Sequence, residues 1–316
     1  MLPSTKIILN GYLEGSKIAA SVYEIESKAP KAGKKAATII MAHANGFHKE
    51  LYEPMVRNIL KSMNDAVNEN IYYEKIVSID LSTQGESAIL NSEIFDIQKD
   101  KCNWLDYARD MLTIMDHLGL KSNETIGVGH SMGACSMFAA EIMRPSLFKC
   151  IVALEPVVKS AAKNADKAHP LIEITKRRKN NFKTKEEFKA YLKSKVVYQS
   201  WTDEVVDLHA EHGLIKAVSG GNVFWKLKCD PIIEANTFNG SGYATRLFAE
   251  KGEYIQCPVV LVRGMSSTFT ERQPFVDFLN GIPKGTMVEI PDCGHLFPLE
   301  VPDKAADAVM EVLFKL

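Results

Sequence analysis

The chain has 316 residues, of which 46% are hydrophobic, and a formal net charge of −1. That length suits one large α/β domain with an insertion, or two small domains, and the apolar share is enough for a sizeable core. A near-neutral charge argues against nucleic acid as the main partner, and no apolar run approaches the roughly 20 residues that a membrane span requires. The six cysteines (Cys102, Cys135, Cys150, Cys229, Cys257 and Cys293) are scattered and form no C-x-x-C pair. They read as reduced core residues of an intracellular protein. The first residues lack the charged-then-apolar order of a secretory signal.

In chain order, residues 6–10 and 17–25 are rich in β-branched and apolar side chains, with two glycines between them. They read as an antiparallel pair. Residues 28–35 form a basic loop with Pro30 and Gly33. An apolar run at 38–42 reads as a central strand and ends in His43-Ala44-Asn45-Gly46. A helix is expected at 51–63, a strand at 75–79 ending at Asp80, and a helix at 104–118 stopped by Gly119. Residues 125–128 are a strand, 132–143 a helix closed by Pro145, and 150–154 a strand ending at Glu155-Pro156. This alternation implies a doubly wound, mostly parallel sheet. From residue 157 the pattern changes to polar, helix-prone segments, with a capping box at Thr184 and Glu187 and no convincing strand before Pro258. The sheet resumes with strands at 258–262 and 287–290, and a helix closes the chain at 301–316. The expected organisation is therefore a core of residues 1–156 and 251–316, with a helical lid inserted at 157–250.

Between the strand 125–128 and the helix 132–143 lies Gly129-His130-Ser131-Met132-Gly133, a G-x-S-x-G. In that motif the serine occupies a strained turn that lifts its hydroxyl above the sheet, and the glycines avoid collisions across the turn. Ser131 is the expected nucleophile. A serine hydroxyl needs a base within hydrogen-bond reach, and the base needs an orienting acid. In an open parallel sheet such groups gather beyond the carboxyl ends of the strands. His295, in the short loop after the last strand, is the expected base, with His43 as its rival. His130 should point away from its neighbour Ser131. The segment after Val262 offers no carboxylate until Glu271, whereas the strand before the lid ends in Glu155. Glu155 is therefore the expected acid, with Glu271 and Asp292 as alternatives. The main-chain N–H groups of Met132 and Asn45 are the expected oxyanion donors. Phe224 and Trp225 are candidates for the acyl pocket, or for the lid's own core.

Taken together, these segments resemble the α/β-hydrolase superfamily over nearly the whole chain. Three segments, at residues 43–50, 103–110 and 154–158, resemble a fungal group that includes a yeast peroxisomal lipase and hydrolase-like toxin biosynthesis proteins. The resemblance implies a hydrolase without metal or cofactor, acting on a small ester or related acyl compound. Relatives with the same fold that use an aspartate nucleophile are disfavoured by Ser131. A carboxylic ester hydrolase is the leading expectation. An acyltransferase or thioesterase with the same triad, and a ligand-binding protein without turnover, are the alternatives. The sequence ends Phe314-Lys315-Leu316, a partial match to a peroxisomal Ser-Lys-Leu signal. The expected location is peroxisome or cytoplasm, with the peroxisomal import receptor as a partner in the first case.

Overall fold

A computed structural model describes residues 2–26, 35–65, 71–96, 102–122, 124–158 and 171–316. Eleven strands are present among them: β1 (Thr5–Asn10), β2 (Lys17–Glu24), β3 (Lys35–Ala42), β4 (Ile71–Ile79), β5 (Thr125–His130), β6 (Cys150–Leu154), β7 (Asn181–Phe182), β8 (Leu214–Ser219), β9 (Asn222–Leu227), β10 (Val259–Gly264) and β11 (Gly285–Ile290). Eight of these form one sheet in the order β1-β2-β4-β3-β5-β6-β10-β11. The pairs from β4 to β11 are all parallel, while β2 runs antiparallel to both its neighbours. The basic loop expected at 28–35 lies outside the described residues, except Lys35, which opens β3.

Alternation along β3 explains why both faces of the sheet are covered. Ile39 and Met41 join one apolar cluster, together with Val128, Val152 and Leu154 and the helices Glu53–Asp65 and Pro302–Phe314. Ile40 and Ala42 join the other, with Ile151, Ala153 and Leu261 and the helices Trp104–His117 and Met132–Met143. Full burial of one such aliphatic side chain contributes roughly 1.5–3 kcal/mol. A strand buried on both faces must be apolar throughout, which is why the central strands read as continuous runs rather than alternating ones.

The register of the central strands sets up one reactive edge. Ala42 of β3 lies opposite Gly129 of β5, and Gly129 in turn lies opposite Ala153 of β6. The Glu155 N–H continues the pairing to Val262 O at 2.8 Å. Residues that follow β3, β5, β6 and β10 therefore leave the sheet at one level, beyond its carboxyl ends.

The segment between β6 and β10 contains the helices Leu171–Lys176, Lys185–Lys193, Asp203–His212, Pro231–Asn239 and Ser241–Lys251. It also contains a second, antiparallel sheet, β7-β9-β8. The expectation of no strand before residue 258 is corrected here. Gly220 and Gly221 both take positive φ, 55° and 79°, and turn the chain between Ser219 and Asn222. Two adjacent residues with positive φ make the tight turn that suits a hairpin's twist. Phe182, Phe188, Leu192, Trp201 and Val205 from this segment share an apolar cluster with Met41, Val128 and Leu154 on one face of the main sheet, while Ala244 and Phe248 of the helix Ser241–Lys251 join the cluster of Ile40, Ala42 and Phe138 on the other. Residues 159–170 of the expected lid lie outside the described residues. Among the described residues no helix is long and apolar enough to cross a membrane.

Candidate active site

Ser131 sits between β5 and the helix Met132–Met143 with φ 52° and ψ −117°. A non-glycine residue in such a region costs on the order of 1–3 kcal/mol, which the surroundings must over-determine. Two neighbours make the turn possible. A Cβ on Gly129 would lie 2.5 Å from the Ala134 main chain, and one on Gly133 would run into the Ala42 carbonyl. Glycine at both positions therefore lets the first helical turn press against the ends of β3 and β5. The Ser131 N–H is fixed to Leu154 O at 2.9 Å. Only 6% of Ser131 is exposed.

His295 lies beside it. Ser131 Oγ is 3.2 Å from His295 Nε2, and His295 Nδ1 is 3.0 Å from Glu155 Oε2. A carboxylate accepts, so Nδ1 carries the proton and Nε2 is left to accept from the serine hydroxyl. The structure thus brings together the three side chains expected from the sequence.

Glu155 is fully buried and takes φ 48°. Its Oε1 accepts from the Gly264 N–H at 2.7 Å; Oε2 accepts from Ser267 Oγ at 2.8 Å and Thr270 Oγ1 at 2.5 Å as well as from His295. Burial alone would raise its pKa, but the hydrogen bond and charge of His295, with the two hydroxyls, outweigh burial and hold it below the ordinary value. The stretch after β10 lacks a carboxylate but is rich in hydroxyls, and two of them secure the carboxylate supplied by the strand next door.

The rival residues are engaged elsewhere or face solvent. His43 is buried; its Nδ1 bonds to Ala44 O at 2.8 Å and its Nε2 accepts from the Leu81 N–H at 3.0 Å. Burial lowers its pKa to about 4, so it stays neutral. Glu271 precedes the helix Arg272–Asn280 and is exposed, as is Asp292. His130 points away from Ser131, toward Tyr52 and the His295 carbonyl.

The oxyanion candidates occupy the loop after β3 and the start of the helix Met132–Met143. Among the described residues, neither the Asn45 nor the Met132 main-chain N–H has a protein acceptor. The loop around Asn45 is tightly held. Gln84 Oε1 accepts from the Gly46 N–H at 2.8 Å, and Gln84 Nε2 donates to Asn45 Oδ1 at 3.0 Å. Asn45 Nδ2 donates to Glu234 O at 3.1 Å, which ties the loop to the insertion. Gly46 takes φ 83°, and a Cβ there would meet the Glu234 carboxylate. That carboxylate is paired with both terminal nitrogens of Arg178, at 2.6 and 2.7 Å.

Phe224 and Trp225 are placed on β9. Phe224 pairs with Ala217, and Trp225 with Lys216 and Phe182, while Lys185 Nζ sits 4.7 Å from the Trp225 ring centroid. These partners belong to the insertion itself. The cleft that borders the oxyanion loop is lined instead by Phe47, His48, Arg178, His209 and Leu227. Sequence reasoning also missed Phe269, whose ring lies 4.2 Å from that of His295, and Gln84, Ser267 and Thr270. For Phe269, Ser267 and Thr270 the run Ser266-Ser267-Thr268-Phe269-Thr270, in the place where an acid was sought, offered a signal; nothing comparable pointed to Gln84. Among the described residues no group of three or more His, Cys, Asp or Glu side chains is arranged to hold a metal ion.

The chain is similar to several known proteins. Over 124 residues, or 39% of the chain, it is 28% identical to the Type I acyl-CoA thioesterase mpaH' of Penicillium brevicompactum. Over 124 residues, or 38% of the chain, it is 32% identical to the Peroxisomal membrane protein LPX1 of Saccharomyces cerevisiae. These matches span 27% and 30% of the relatives' own lengths. Among solved structures, the peroxisomal alpha-beta-hydrolase Lpx1 of Saccharomyces cerevisiae superposes with a TM-score of 0.79 at 17% identity, covering 99% of this chain and 88% of that one. The thioesterase domain from the curacin biosynthetic pathway gives 0.70 at 17% identity, covering 98% and 99%. At that identity the two likenesses establish the fold alone. The Alpha/beta hydrolase family profile matches residues 39–308, and the chain belongs to that family.

Proposed function

We propose that the protein is a serine hydrolase that cleaves a carboxylic ester through an acyl-enzyme. The observation that carries this reading is the continuous contact from Ser131 Oγ through His295 to the Glu155 carboxylate, at 3.2 and 3.0 Å. His295 Nε2 takes the hydroxyl proton as Ser131 attacks the acyl carbon. Glu155 keeps the imidazole in the tautomer that can accept and stabilises the imidazolium that forms. The Met132 and Asn45 N–H groups receive the negative charge on the carbonyl oxygen; each such donor lowers the barrier by about 2.7–4 kcal/mol. The imidazolium then protonates the departing group. A water deprotonated by His295 releases the acid and restores the serine.

A thioester is the second substrate reading, because the relatives matched over 124 residues include Type I acyl-CoA thioesterases. The chemistry differs only in the leaving atom. Turnover of p-nitrophenyl esters of rising chain length, compared with acyl-CoA thioesters of the same chains, separates the two. In either case Ser131→Ala abolishes turnover; equal activity in that variant overturns the proposal. Peroxisomal residence is proposed from the name of the yeast relative. A fluorescent fusion with and without residues 314–316 tests both the location and recognition by an import receptor.

A further inference from the structure

We propose that His130 and Tyr52 are positioning residues, forming one buried hydrogen-bond chain that fixes the oxyanion loop and the main chain of His295 relative to each other. This rests on the serine-hydrolase reading above.

The chain has three links. The Ala44 N–H donates to Tyr52 Oη at 3.1 Å. Tyr52 Oη is 2.6 Å from His130 Nδ1. His130 Nε2 is 2.9 Å from the His295 carbonyl oxygen. Tyr52 is 3% exposed and His130 1%, so water does not compete for these groups.

Donor chemistry gives the chain a single direction. The His295 carbonyl only accepts, so the neutral His130 ring is protonated on Nε2 and its bare Nδ1 accepts from the Tyr52 hydroxyl, whose oxygen accepts in turn from the Ala44 N–H. Burial lowers the His130 pKa well below its ordinary value and raises that of Tyr52, so both stay neutral and the order of donors is locked. A second proton on His130 would face the phenol with a donor where an acceptor is needed.

The segments joined are those whose spacing the proposed reaction needs fixed. Ala44 immediately precedes Asn45, the proposed oxyanion donor. His130 immediately precedes Ser131. His295 carries the base, and its own side chain spans from Ser131 to Glu155. Tyr52 comes from the short helix Lys49–Tyr52, which follows the oxyanion loop. The loops after β3 and β11 are thus braced through the last residue of β5, and His130 serves the site from the side that faces away from the serine. Displacement of reacting groups by about 1 Å can cost on the order of a hundredfold in rate.

The test uses the full chain and a p-nitrophenyl ester that the wild type turns over in a Ser131-dependent manner. Tyr52→Phe, His130→Ala, His130→Gln and the Tyr52→Phe/His130→Ala pair are compared for kcat and KM, with melting temperature as a check on folding. Each of the Tyr52→Phe and His130→Ala variants is expected to lose kcat by roughly ten- to a hundredfold, with KM within about twofold of wild type. The double variant is expected to be little worse than His130→Ala alone, because the two residues belong to one chain. In His130→Gln the side-chain amide reaches the His295 carbonyl, and most of the lost kcat is expected to return. Unchanged kcat in Tyr52→Phe, losses that multiply in the double variant, or a glutamine no better than alanine each overturn the inference while leaving the serine mechanism standing. Absence of Ser131-dependent turnover in the wild type overturns that mechanism, and this inference with it.

Discussion

Glu155 reaches His295 from a strand end 140 residues earlier in the chain, with its Oε2 3.0 Å from the imidazole Nδ1. The contact spans the whole insertion, so the insertion loops out of the sheet between two residues that meet at its edge. Because the carboxylate is fully buried and accepts from four groups, its geometry is set before any substrate arrives.

Replacing Glu155 with glutamine tests that contact. The amide group cannot accept from all the donors that now converge on Oε2, and it leaves the imidazole without a fixed tautomer. A fall in kcat of about 10³–10⁴ is expected, by comparison with the loss of the acid in other Ser-His-acid sites. Steady-state kinetics on a chromogenic ester read it directly, and a near-wild-type kcat would remove Glu155 from its proposed role.

Gln84 is expected to act through the oxyanion loop. It is fully buried, accepts from Gly46 and donates to Asn45. Gln84→Ala frees both ends of that turn. The expected result is a kcat loss of roughly tenfold to a hundredfold, smaller than deleting a donor outright, with little change in KM. A proportionate rise in KM at constant kcat would assign Gln84 to ground-state binding instead.

The motif Gly129-His130-Ser131-Met132-Gly133 was legible because its physics is local. A serine at positive φ pressed against two strand ends requires glycine two residues to either side, and Gly129 and Gly133 stand there. Glu155 was legible because a carboxylate just past a parallel strand has one edge to face. The bracing residues were not. Tyr52 meets His130 across 78 residues, and His130 meets the His295 carbonyl across 165. No spacing rule encodes contacts that depend on how the strands are ordered. The hairpin β8-β9 is a different case: Gly220-Gly221 between two stretches rich in apolar and aromatic residues was a sufficient signal, overridden by the helical tone of its surroundings.

Lys49 makes a separate stability test. Its ammonium is fully buried, 2.8 Å from Asp80, 2.8 Å from Glu50 and 3.4 Å from Glu86. Lys49→Met leaves three carboxylates around a neutral side chain, two of them buried. A loss of about 3–5 kcal/mol is expected from removing one partner of a buried ionic group. Urea unfolding followed by circular dichroism measures it, and a loss below about 1 kcal/mol would show the carboxylates to be solvated or protonated.

Asp110 gives a pH test. It is 3% exposed and accepts from the Tyr12 N–H at 2.8 Å. Burial raises its pKa to about 6, against an unfolded value near 4. The folded state therefore binds the proton more tightly than the unfolded state does. Its contribution is fully present below about pH 4 and is lost as pH rises through about 6. Asp110→Asn keeps the acceptor and removes the titration. The stability difference between wild type and variant is expected to move in the variant's favour by an amount on the order of 3 kcal/mol between about pH 4 and pH 7. A difference independent of pH would contradict this.

The most direct measurement is covalent. A fluorophosphonate reacts with an activated serine and leaves an adduct that peptide mass spectrometry can place. Incubation of the wild type is expected to label Ser131, with Ser131→Ala unlabelled and His295→Ala labelled far more slowly. Labelling at another residue, or at an undiminished rate without His295, would contradict the activation of Ser131 by that imidazole.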